Sequence, residues 1–257
     1  MGNPNQPFLK KTFMNSETTL YQLEKQLSLK GMASKLRSIL ELPTHSRPSI
    51  EEAMAEMIEI ELEYRKNAKT AKLLRSSKLR FKTPLQEITC SSERNLSRDQ
   101  LSSLSTCDFI REGKHVIITG KAGCGKTWLS CALGRQACLL GFKVLFYNMV
   151  RFAEEISMHM LTGTLMKFID KLMKYDLIVL DDFALRQIDE STRLVLYQLL
   201  DGNKDDYKKS IIFTSQLPVS NWYDYLQPGS QTESILDRLA GSERIELKGK
   251  SLRNNKK

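Results

Sequence analysis

The chain reads as an α/β fold with a mainly parallel sheet covered on both faces, preceded by a small helical domain. Three observations lead there. Five short apolar runs, "HVIIT", "KVLFYN", "LIVLDD", "SIIFTS" and "RIELK", alternate with helical stretches, the pattern of a parallel sheet with crossover helices. Roughly the first eighty residues instead carry their apolar positions at helical spacing. Between Val116 and Gly134, "VIITGKAGCGKTWLSCALG" runs from a strand through a glycine-rich turn into a helical pattern.

Composition bounds the classes. The chain has 257 residues, 41% of them hydrophobic, with a formal charge of +9 and a pI near 9.2. That length is at the upper end for one core. A basic chain suits nucleic acid or anionic lipid, or is simply soluble; net charge alone does not choose. No apolar run approaches the roughly 18 residues that span a bilayer. The opening "MGNPNQPFLKKTF" has no apolar signal core, and Gln6 stands where N-myristoylation needs Ser or Thr. The five cysteines are Cys90, Cys107, Cys124, Cys131 and Cys138, without a C-x-x-C pair. Zinc is therefore not expected, and a reducing, cytoplasmic setting with no membrane partner is. Cys131 and Cys138 are expected to pack as small apolar residues of one helix.

Residues 1–15 read as a flexible tail. Leu20, Leu23 and Leu27 predict a first helix, which Gly31 is placed to end. Leu36, Ile39 and Leu40 predict a second, before Pro43. Ser49 to Glu52 form a capping box, followed by an apolar stripe of Ile50, Met54, Met57, Ile58 and Leu62. Then come Arg65, Lys66, Lys69, Lys72, Arg75, Lys78, Arg80 and Lys82, with no acid between Glu63 and Glu87. Arg65, Lys69 and Lys72 share a helix face. Such a run is either a solvated linker or a phosphate-binding surface. Its freedom from carboxylates favours the second, with Arg65, Lys66, Lys69, Lys72 and Arg75 as candidate DNA contacts. The division expected is 1–82, helical with a basic linker, and 83–257, the α/β domain.

Gly120-Lys121-Ala122-Gly123-Cys124-Gly125-Lys126-Thr127 fits G-x-x-x-x-G-K-[ST], after a strand and opening a helix. Its glycines let backbone amides converge on phosphate oxygens, and the helix N-terminus adds its positive end. Lys126 is the candidate for neutralising the β- and γ-phosphates of ATP, and Thr127 for holding Mg²⁺. The run Leu177–Leu180 is continuously apolar, as a central strand would be, and ends in Asp181 and Asp182. Asp181 is the second Mg²⁺ candidate, and Asp182 is placed to orient the attacking water. Gln216, after "SIIFTS", is a candidate contact for the γ-phosphate or that water.

The order of phosphate loop, acid pair, "TSQ" and "SILDRLAGSERIELKGKSLR" resembles the AAA+ ATPases of the IstB/DnaC group. It is most similar to IstB, the ATP-binding helper of two-gene bacterial insertion sequences. Trp222, "LKGMASKL" and the terminal "GKSLR" carry the same likeness. The resemblance implies an AAA+ core with a five-stranded parallel sheet. It also implies an ATP-dependent regulator that binds duplex DNA, assembles on it as a homo-oligomer and serves a transposase. Arg238 matches the arginine finger that reaches a neighbour's ATP, Gln216 the sensor-1 position, and Arg253 a nucleotide sensor. Asp182 stands where many AAA+ proteins have Glu, one methylene longer, which suits a slow switch. The short stretch after Leu247 leaves no room for a helical lid. A DnaC-like helicase loader is the alternative; a metabolic P-loop kinase explains neither the basic run nor "ILDRL".

Overall fold

The computed structural model describes residues 16–201 and 209–252. The expectations for residues 1–15 and for Arg253 lie outside the described residues. The chain divides into two compact units, 1–69 and 70–257.

The first unit contains α1 (Ser16–Tyr21), a π-helical turn over Gln22–Gln26, α2 (Lys30–Glu41) and most of α3 (Ile50–Ser76). Gly31 does not end the first helix. It lies in the first turn of α2 and is buried. A Cβ there would come within 2.7 Å of the Glu61 Cα, so glycine is what allows α2 and α3 to approach this closely. Glu61 is 5% exposed, and its carboxylate accepts the N–H groups of Gly31 at 2.7 Å and Met32 at 3.2 Å. Those amides lack partners within their own helix, and a carboxylate also complements the positive end of the helix. The capping box forms as read: Glu52 N–H donates to Ser49 Oγ at 3.2 Å and Ser49 N–H to Glu52 Oε2 at 2.9 Å.

The apolar stripe on α3 is a correction. Met57 is buried, but Ile50, Met54, Ile58 and Leu62 are exposed. The buried line of α3 passes through Met57 and Glu61, four residues apart, so its inward face carries a carboxylate where the hydrophobic pattern would put an aliphatic side chain.

In the second unit, α4 (Arg98–Ser105) and α5 (Asp108–Glu112) precede β1 (Val116–Gly120), and α6 (Lys126–Leu139) leads to β2 (Val144–Asn148). Next are α7 (Met149–Leu161), α8 (Leu165–Met173), β3 (Leu177–Phe183), α9 (Glu190–Asp201) and β4 (Ser210–Ser215). Last come α10 (Trp222–Tyr225), α11 (Ser230–Leu239) and β5 (Glu243–Leu247). All five strands read from the sequence form one sheet, in the order β2-β3-β4-β1-β5, and every adjacent pair is parallel. Alternate residues of β3 serve opposite faces. Ile178 and Leu180 join Phe152, Phe168, Leu196 and Trp222; Leu177 and Val179 join Leu129, Leu133 and Ile110. This two-sided burial is why the strands are continuously apolar. Cys131 and Cys138 are fully buried on α6, and burial pushes both thiols up to about 11.

Candidate nucleotide-binding site

The loop from Gly120 to Thr127 bridges the C-terminal end of β1 and the start of α6. Gly123 and Gly125 have φ of 81° and 95°, in the left-handed region that side chains disfavour. Lys126 is 6% exposed. Its Nζ donates to the carbonyls of Gly120 at 2.7 Å and Lys121 at 3.0 Å. The ammonium therefore sits inside the curl of the loop, on the side where phosphate oxygens would replace those carbonyls.

Asp181 lies on β3, two strands from β1, and is fully buried. It accepts hydrogen bonds from Thr127 Oγ1 at 2.8 Å and Thr214 Oγ1 at 2.6 Å. Burial pushes its carboxyl up, against the lowering effect of the two hydroxyls; nearby Asp182 adds to the rise. A buried carboxylate beside a threonine hydroxyl is a hard-oxygen donor set, as Mg²⁺ prefers. The residues present fit that ion, which would neutralise the charge that burial disfavours.

Asp182 sits at a register shift between β3 and β4 and has φ of 59°. Its N–H donates to Thr214 Oγ1 at 3.1 Å, and its Oδ2 accepts from Asn148 Nδ2 at 3.1 Å. The irregular backbone separates the two neighbouring acids: one points at Thr127, the other at the end of β2. Gln216 is exposed just past β4. It lines a cavity of about 990 Å³ with Thr119, Gly120 and Lys121. Trp222 is core: its Nε1 donates to the Leu217 carbonyl at 3.1 Å and its ring packs 4.6 Å from that of Phe183.

Sequence reading did not assign Thr214 or Asn148. Thr214 ties both acids together, and Asn148 orients the second. Their one signal is position, since both stand at the C-terminal ends of parallel strands, where ligands of open α/β sheets bind.

Arg238 is not turned outward. It donates to the Ser234 carbonyl at 2.8 Å, pairs with Asp201, and stacks its guanidinium 4.7 Å from the Tyr197 ring centroid. It shares a cavity with Lys114 and His115, at the N-terminal end of β1. The phosphate loop leaves the other end of that strand, roughly 13 Å away at 3.3 Å per residue.

Of the α3 cations, Arg65 is engaged by Glu61 at 2.8 Å. Lys66, Lys69, Lys72 and Arg75 are exposed and make no ion pair among the described residues.

The strand order, the phosphate loop and the acid two strands away on β3 define a P-loop ATPase of the AAA+ class. Within that class the chain belongs to the IstB-like ATP-binding protein family, whose model matches residues 22–257. It is 33% identical over 233 residues to the insertion-sequence ATP-binding protein y4pL of Sinorhizobium fredii, covering 90% of this chain and 94% of that one. It is 32% identical to the ATP-binding protein of insertion sequence IS1162 of Pseudomonas fluorescens, covering 80% and 89%. Among solved structures, AMPPCP-bound DnaA from Aquifex aeolicus shares the fold at a TM-score of 0.54 and 23% identity, over 66% of this chain and 51% of that one. The DnaC helicase loader does so at 0.51 and 18%, over 64% and 96%. No helix among the described residues is long and apolar enough to cross a membrane.

Proposed function

We propose that the chain is the ATP-dependent, DNA-binding regulator of a transposase, assembling as a homo-oligomer on duplex DNA and recruiting or activating that enzyme. Lys126 neutralises the β- and γ-phosphates, and Thr127 and Asp181 hold Mg²⁺. Asp182 and Gln216 orient the attacking water. The shorter Asp182 carboxylate makes hydrolysis slow, as a switch requires. The observation that carries assembly is the position of Arg238, on the far end of β1 from its own phosphate loop. An arginine there serves a nucleotide only when that nucleotide belongs to another copy. Guanidinium suits the task because it stays charged and contacts phosphate oxygens in a bidentate way. The kinship with insertion-sequence ATP-binding proteins supports the transposase as partner. Lys66, Lys69, Lys72 and Arg75, exposed and without an ion pair among the described residues, support phosphate contact.

The test is anisotropy of labelled duplex and single-stranded DNA, with and without ATP and Mg²⁺, at several salt concentrations. Duplex is expected to bind more tightly, and ATP to increase binding. Each phosphate neutralised contributes about 0.9 to the slope of log K against log salt. Replacing Lys66, Lys69, Lys72 and Arg75 with Gln should flatten that slope; Arg65 is left in place because Glu61 needs it. An unchanged slope returns the run to a solvated surface. Preference for single strands points instead to a helicase loader. Arg238→Ala should bind ATP as the parent does but lose ATP-dependent assembly. Mixing it with Lys126→Ala should restore some ATPase activity if the arginine acts between copies.

A further inference from the structure

Two segments outside the sheet hold the phosphate loop from behind. The first precedes β1. Ser91 and Leu96 pair across a short antiparallel bridge, Ser91 Oγ accepts the Arg94 N–H at 3.3 Å, and Asn95 takes a left-handed φ of 53°. This knuckle projects Arg94 toward the loop. Its Nη1 donates to the Thr89 carbonyl at 2.8 Å and its Nη2 to the Cys124 carbonyl at 3.1 Å. The second segment follows β5. Lys248 N–H donates to the Arg94 carbonyl at 3.1 Å and Leu252 N–H to the Gly123 carbonyl at 3.0 Å. Asn95 Nδ2 ties the first segment to β5 itself, through the Glu246 carbonyl at 2.9 Å.

The packing crowds the loop at two of its glycines. A Cβ on Gly123 would lie 2.3 Å from Ser251 Oγ. One on Gly125 would lie 2.9 Å from Arg94 Nη2 and 3.2 Å from Leu252 Cδ1. Both glycines are favoured by their φ angles, and a side chain at either would also have to displace Ser251 or the tip of Arg94.

We propose that Arg94, backed by Lys248–Leu252, is a positioning residue of the nucleotide site that sets the affinity for the nucleotide's phosphates. The inference rests on the ATPase reading of that site. In a trans peptide the carbonyl and the following N–H point in opposite directions. Holding the Cys124 carbonyl outward fixes the Gly125 N–H on the other side, and holding the Gly123 carbonyl orients the Cys124 N–H, which in the nucleotide-free loop donates to the Lys121 carbonyl at 3.4 Å. Two successive amides of the loop are thereby set before the anion arrives, which removes part of the ordering cost of binding. Arg94 also makes no ion pair with a carboxylate among the described residues, so its charge adds to the field that favours an anion in the loop.

A contact made equally in the ground and transition states changes KM and leaves kcat alone. The experiment uses the full chain carrying Arg94→Ala or Arg94→Lys, with fluorescent ADP and ATP analogues for Kd and steady-state hydrolysis for KM and kcat. Both variants are expected to raise Kd and KM about tenfold, the loss of one charge-assisted hydrogen bond, with kcat within about twofold. Lysine should not rescue, because a single ammonium lacks the planar fork that spans two carbonyls. A folded variant with the parent's Kd and KM overturns the proposal. If Arg94→Ala does not fold, Arg94→Lys decides by the same two readouts. Lys126→Ala is the control: if it binds nucleotide like the parent, the failure lies with the site and not with the clamp.

Discussion

The two units are stabilised in different ways. The ATPase unit buries aliphatic residues on both faces of a sheet, with Ile117, Ile118, Ile178 and Val179 fully enclosed. The helical unit holds α2 to α3 through a glycine contact and one buried carboxylate, while Ile50, Met54, Ile58 and Leu62 face outward. In the first, hydrophobic patterning reports burial faithfully; in the second it does not. A long helix with several apolar residues can turn any of them inward, and a polar contact at Glu61 settles which face it is.

The largest break in that comparison is expected at Glu61. Burial alone would push its carboxyl up, but Arg65 and the amides of Met32 and Gly31 together hold it below its usual range. Glu61→Ala leaves two helix-terminal amides and a guanidinium without their acceptor. A loss of about 2–3 kcal/mol is expected, the cost of leaving buried donors unsatisfied; the Arg65 guanidinium, 61% exposed, recovers water. Glu61→Gln, which keeps an acceptor, should lose less. Denaturant unfolding followed by helix signal checks both. If Glu61→Ala is neutral, the carboxylate is not what holds α2 to α3.

The ATPase unit has a polar dependence of its own. His115 is 4% exposed, and its Nδ1 accepts the Ile211 N–H at 3.1 Å. Burial depresses its pKa from 6.5 to about 4. Below pH 6.5 the unfolded chain takes up a proton that the folded chain refuses, so stability falls as pH drops from 6.5 toward 4. The slope approaches about 1.4 kcal/mol per pH unit, or about 2 kcal/mol lost at pH 5 relative to pH 7. Thermal midpoints of the parent and His115→Asn across that window measure it. Equal pH slopes would exclude His115 as the source.

A smaller effect with the opposite sign is expected at Asp181. Its raised pKa means that the charged form is disfavoured in the folded state. That unfavourable contribution is present at neutral pH and fades as pH falls through the folded pKa. Asp181→Asn removes the charge, and the two threonine hydroxyls can rotate to pair with the amide. The nucleotide-free variant should melt roughly 2–4 °C higher, as about 1 kcal/mol does in a chain of this size, while losing the Mg²⁺-dependent stabilisation by ATP. Site residues commonly give up stability for function in this way. A lower midpoint would mean that the carboxylate's hydrogen bonds outweigh its desolvation.

The sequence was most legible where local chemistry and tertiary role coincide. The strands were readable because residues such as Leu177–Leu180 are buried on both sides, and the phosphate loop because its glycines, lysine and threonine recur at fixed spacing. Thr214, Asn148 and Arg94 were not, because a single polar residue near a strand end has no pattern of its own. Arg238 was located, but its partner Asp201, thirty-seven residues away, is set by the crossing of α9 and α11. Gly31 read as a helix end because a glycine that stops a helix and one that lets two helices touch leave the same trace in a sequence.

The smallest effects are expected on the outward stripe of α3, and there the size itself is the test. Had Met54, Ile58 and Leu62 been core, truncation to Ala would cost about 2–5 kcal/mol each, from lost burial and the cavity left behind. They are 49%, 48% and 64% exposed, so little apolar area leaves contact and no enclosed space is created. Surface substitutions of this kind usually fall within about 0.5 kcal/mol, and alanine keeps the helix at least as favourable as the residues it replaces. Each single variant should therefore unfold at the parent's midpoint within that margin, and the changes should add in the triple variant. Met57→Ala, one turn away but 8% exposed, is the internal contrast and should cost about 2 kcal/mol or more. If the four substitutions cost the same, the stripe is packed in solution and the contrast between the two units fails at the helix where it was drawn.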